Sequence, residues 1–194
     1  MPIPPFNASG VLPPFVGENP THAAQMAPFP AAFSELIYRF GTTPHRWELL
    51  RGLHYYRTAL RASGLQGGFQ WIDGSFLEDA ERNRGRPPAD IDVVTFAALP
   101  PGMHPRAFRE RYADLIYSRL TKSRFQCDAY FVDLGTGSRR PELLVAQTRY
   151  WYGLFSHQRA SYLWKGMLQV DLVSDDEAVR DKFVKAEEPN AAQA

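Results

Sequence analysis

The stretch Trp71-Ile72-Asp73-Gly74-Ser75-Phe76, followed by Pro88-Ala89-Asp90-Ile91-Asp92-Val93-Val94-Thr95, decides how this chain is read. The first part reads as a short strand, residues 70–73, running into a Gly-Ser turn. The second reads as a strand over residues 90–96 that carries two carboxylates two residues apart. Residues i and i+2 of a strand project from one face, so Asp90 and Asp92 point the same way and can share divalent cations. A Gly-Ser turn offers backbone N–H groups and a hydroxyl to a phosphate. An Asp before an apolar strand is also a common cap or turn residue, and Ser75 could simply cap a helix. Asp92 resists the plainer reading. Ile91, Val93 and Val94 enclose it in the strand, where a charge is costly unless paired or metal-bound.

Two metal ions held close together need a third acid to bridge and neutralise them. The next apolar run, residues 126–134, supplies Asp128 and Asp133. Asp128 opens its strand as Asp90 opens its own, and a neighbouring strand would bring the two ends together. Asp133 lies five residues on, so it falls on the opposite face near a turn. Asp128 is the favoured third acid and Asp133 the alternative. Asp73 reads as a turn or capping residue.

Gly74-Ser75, then Asp90-Ile91-Asp92, then an acid on a later strand resembles the signature of the nucleotidyltransferase superfamily, in its small bacterial single-domain type. Members share the catalytic fold of DNA polymerase beta. The resemblance covers about residues 69–134. It implies that Asp90 and Asp92 hold two Mg²⁺ ions and that Asp128 activates the attacking hydroxyl. It further implies that Gly74 and Ser75 hold the phosphates of a nucleoside triphosphate. Arg86 and Lys165 are added as phosphate-binding candidates, although Lys165 could instead pair with a strand acid or lie on the surface. The chain departs from the pattern after the turn. Phe76-Leu77-Glu78-Asp79 stands where small members often carry an arginine and a glycine, and the spacer to Asp90 is long. The implied activity is transfer of a nucleoside monophosphate from an NTP to a protein or RNA hydroxyl, a chemistry found in toxin–antitoxin and anti-phage systems. A nucleotide-binding or regulatory protein without turnover is the alternative.

Working outward, residues 1–30 contain eight prolines, which excludes a continuous helix or central strand. They read as an extended arm lying over the core. Residues 31–185 read as one α/β (α+β) domain, a small mixed β-sheet backed by helices, and 186–194 as a disordered tail. Phe33, Leu36, Ile37 and Phe40 mark a short helix stopped by Gly41. Thr43-Pro44 predicts the cap and first position of a longer helix ending at Ser63-Gly64. Phe108, Tyr112, Leu115, Ile116 and Leu120 predict one amphipathic helix, and Gly135 to Ser138 a hairpin or strand-exit turn. Residues 143–145 read as a short strand or turn, 167–173 as a strand, and 175–183 as a final helix. The aromatic segment from Trp151 to Trp164 reads as core, with base stacking or a protein partner as the sharper alternatives.

Composition sets the frame for all of this. At 194 residues with 44% hydrophobic content, the chain is long enough for one domain with a real core. The net charge of +1 makes no global case for nucleic-acid binding. Cys127 is the single cysteine, which excludes an internal disulfide or a thiolate zinc site. With no apolar run of spanning length and no leader pattern, a soluble cytoplasmic protein without membrane contact is expected.

Overall fold

The computed structural model describes residues 2–137, 140–159 and 161–185. The expected tail, 186–194, lies outside the described residues. Five strands form one mixed sheet: β1 (Phe29–Pro30), β2 (Phe69–Asp73), β3 (Ile91–Ala97), β4 (Cys127–Asp133) and β5 (Leu168–Asp171). Their spatial order is β1-β5-β2-β3-β4. The β2–β3 and β2–β5 pairs are antiparallel, whereas β3–β4 and β1–β5 are parallel.

Helices cover both faces, as an α/β layer architecture requires. The first face packs on α1 (Phe33–Phe40), α2 (Pro44–Ala62) and α9 (Asp176–Lys185). Ile72, Val93, Ala129 and Val170 meet Leu36, Leu53, Leu60 and Val179 there in the main core. The second face carries Trp71, Val94, Phe96 and Val132, and α8 (Pro141–Phe155) lays Trp151, Tyr152 and Phe155 over them. The 15 residues of α8 replace the strand or turn expected at 143–145.

The local signals explain most element boundaries. Thr43 accepts a hydrogen bond from the Arg46 N–H at 3.2 Å, and Pro44 takes the first helical position of α2. Gly41 ends α1. Between β3 and β4, three short helices stand where one was expected: α4 (Pro105–Arg111), α5 (Ala113–Ile116) and α6 (Ser118–Phe125). The chain bends at Tyr112 and Tyr117, whose backbones leave the helical region. Gly52 of α2 lets the end of α6 come close, because a Cβ there would stand 2.1 Å from the Phe125 carbonyl oxygen. Leu134–Gly137 forms a helical turn, α7, directly after β4, the strand-exit turn rather than the hairpin of the two forms expected there.

The proline-rich arm is built into the core. Val11 and Leu12 are buried, Val11 bridges Glu78, and the Gly166 N–H donates to the Leu12 carbonyl. Among the described residues no helix is long and apolar enough to cross a membrane.

Candidate active site

Register places the acids. Asp73 of β2 pairs with Asp92 of β3, and Asp92 pairs with Asp128 of β4. Three carboxylates therefore stand abreast on three adjacent strands, on the face covered by α8. Asp90 lies two residues before Asp92 on the same side. All four line one cleft of about 280 Å³ together with Gly74, Ser75, Arg86, Lys122 and Lys165. Asp133 falls outside it. It faces a separate, mainly apolar cavity and accepts a hydrogen bond from the Gly135 N–H at 2.8 Å.

Gly74 is fixed by two constraints. Its φ is +83°, a conformation that side chains disfavour, and an added Cβ would lie 1.9 Å from Asp92 Oδ2. The turn thus presses directly on the central carboxylate. Ser75 opens a 3₁₀ turn, Ser75–Leu77, and its hydroxyl bonds none of the described side chains or carbonyls. Arg46 of α2 holds the following segment from below, donating to the carbonyls of Phe76 at 2.7 Å and Glu78 at 2.9 Å.

A buried lysine supports the turn from beneath. Lys165 Nζ lies 2.9 Å from Asp73 Oδ1 and 3.1 Å from Glu78 Oε1, and donates to the Gly74 carbonyl at 3.3 Å. The Asp73 contact lacks the alignment of a hydrogen bond and is mainly electrostatic. Burial pushes the Lys165 amine down, but Asp73 and Glu78 outweigh it and hold the amine above its ordinary value. Burial raises the Asp73 carboxyl to about 7, with Lys165 only partly offsetting it. Burial would raise Glu78 too, yet Lys165, Gln158 and Arg84 bring it below the usual carboxylate range. One lysine shared by two acids leaves Glu78 as the firmly ionised partner.

Asp92 stands half-buried in the middle of the row, and its carboxylate has no hydrogen-bond or ion-pair partner among the described residues. Burial lifts its carboxyl to about 6; Asp90 and Asp128 add to the rise, and Lys165 and Arg159 oppose it. The other two acids are engaged from α6. Lys122 forms an ion pair with Asp90, and the Ser118 hydroxyl donates to Asp128. Among the described residues no three acidic, histidine or cysteine side chains are gathered as a ready-made metal site. The donor set nevertheless suits a hard divalent cation, being all oxygen and mutually repelling around a carboxylate without a partner.

Residues 4–171 match DUF6932, a family of unknown function. The chain belongs to that family. No curated protein and no solved structure matches it. The DUF6932 match spans every residue of the cleft and ends with β5.

Of the residues singled out in this DUF6932 member's sequence, Asp90, Asp92, Asp128, Gly74, Ser75, Arg86 and Lys165 meet in the one cleft. Lys165 does so as a buried ion-pair partner, and Arg86 from an exposed loop. Asp73 is no simple turn residue but a buried acid facing Asp92. Sequence reasoning missed Glu78, Ser118 and Lys122. The spacing of Ser118 and Lys122 on one turn-and-a-bit of helix was the available signal, because i and i+4 share a face. Trp151, Tyr152 and Phe155 are packing residues, while Tyr162 and Trp164 are exposed.

Proposed function

We propose that this protein is a Mg²⁺-dependent nucleotidyltransferase that moves a nucleoside monophosphate from an NTP to a hydroxyl of a protein or RNA. The observation that carries the reading is the convergence of Asp90, Asp92 and Asp128 on one cleft, with Gly74 pressed against Asp92. Asp90 and Asp92 are the residues that would hold two Mg²⁺ ions, which supply charge neutralisation to a bound triphosphate. Ser75, which lines the cleft, bonds a phosphate oxygen, and Arg86 adds charge from the rim. Lys165 acts on the phosphates through the turn it supports, since its amine is already engaged by Asp73 and Glu78. Asp128 takes the proton of the acceptor hydroxyl. The freed oxygen attacks the α-phosphorus in line, and pyrophosphate leaves.

The test is incubation with each α-labelled NTP, Mg²⁺ and a cell lysate. The reading expects label on protein or RNA, lost when Asp90→Asn and Asp92→Asn are combined. One observation favours a second reading, a nucleotide-binding protein without turnover: α6 side chains occupy both Asp90 and Asp128. Nucleotide that raises the melting temperature while no label moves in any mixture would select it.

A further inference from the structure

We infer that Lys122 is a resident counter-cation of the cleft, seated on Asp90 where a divalent ion must displace it. The inference rests on the metal-binding reading above and explains why the acids do not stand ready-gathered. Lys122 and Ser118 lie four residues apart on α6 and share a helix face. That face meets the ends of β3 and β4, where Lys122 takes Asp90 and Ser118 takes Asp128. Asp90 and Asp128 are thereby engaged, while the Asp92 carboxylate has no partner among the described residues. The geometry suits an exchangeable contact. The Asp90 side chain is 15% exposed, whereas that of Lys122 is 53% exposed, so the amine can leave for solvent without breaking any packing.

Electrostatics agree with that placement. Lys122 lines the same cleft as Asp90, Asp92 and Asp128, so its ammonium sits among all three acids of the proposed metal site. A lysine ammonium is a compact, strongly hydrated point charge on a flexible stem, the side chain best able to stand in for an ion and then move.

The test uses Mn²⁺ as probe on the full chain, with binding followed by the loss of its free electron-spin resonance signal. Lys122→Met is expected to bind Mn²⁺ about twofold to fivefold more tightly than the wild type, the span expected for removing a partly exposed ion-pair competitor. Lys122→Arg should stay close to the wild type. Arg159→Met removes a charge from the same cleft without freeing a carboxylate, and should gain less. Equal or weaker binding by Lys122→Met, or an equal gain in Arg159→Met, overturns the inference and leaves nucleotidyl transfer standing. Absence of Mn²⁺ binding by every variant overturns both.

Discussion

Two groups of buried charge face opposite sides of the same sheet, and they are built in opposite ways. On the α2 side, Arg57 is wholly buried and every hydrogen-bonding arm is used. It holds Asp176 through two bonds of 2.7 Å, Gln70 at 2.6 Å and the Asp171 carbonyl at 2.7 Å. Arg61 adds a bond to Asp176 at 2.8 Å. Burial would raise the Asp176 carboxyl, but Arg57 and Arg61 bring it below its usual range. On the α8 side, Asp92 stands between two like charges and rises. A satisfied cluster ties α2, the sheet and α9 together. A repelling cluster stabilises nothing by itself, and a carboxylate so strongly perturbed in a cleft marks a candidate functional site.

That contrast can be broken at several points. Arg57→Ala should have the largest effect, about 3–5 kcal/mol of lost stability, because it strands a buried carboxylate. Chemical denaturation would read this, and a loss below 1 kcal/mol would show the cluster to be dispensable. Asp92→Asn should do the reverse and stabilise the metal-free protein at about pH 8, by on the order of 1–3 kcal/mol. The sign follows from the direction of the shift. Folding raises this carboxyl, so its contribution is favourable below about pH 4 and is lost as pH climbs through about 6. The gain from Asn should therefore vanish in melts at about pH 4, and a gain that persists there would remove its electrostatic explanation.

Gly74→Ala should cost about 1–3 kcal/mol from backbone strain alone, because φ +83° with ψ −168° is a region essentially reserved for glycine. Its larger consequence is at the site, where displacing Asp92 by about 1 Å is expected to lower label transfer about 10²-fold. Transfer at the wild-type rate would mean that the turn and the acid are not coupled. Lys122→Met should be the smallest perturbation of the metal-free protein, within about 1 kcal/mol in a melt. A larger loss would make that ion pair a structural one like Arg57 with Asp176.

The sequence was most readable where local chemistry and tertiary structure agree. Thr43-Pro44 and Gly41 announce the boundaries of α1 and α2, and the apolar runs around Asp92 and Asp128 give β3 and β4. Strand-opening position and face parity together separated Asp128 from Asp133. Residues 143–145 misled because Leu143, Leu144 and Val145 form a short apolar run that mimics a strand, whereas in α8 Leu143 and Val145 are exposed. The helix expected over residues 108–120 failed for another reason. Its apolar spacing runs unbroken through Tyr112 and Tyr117, and the bends there have no glycine or proline to announce them. The partners of the acids were the least legible feature. Lys122 reads as an ordinary surface lysine until the α6 helix is set against the end of β3. Lys165 was more legible, since pairing with a strand acid was among its readings and it does pair with Asp73 of β2.

The melting temperature with and without Mg²⁺ and NTP together tests the central claim most directly, in the wild type and in the variant carrying both Asp90→Asn and Asp92→Asn. The account predicts a rise in the wild type that needs both Mg²⁺ and nucleotide and is absent from the variant. An equal rise in both proteins, or none in the wild type with any of the nucleotides, would contradict it.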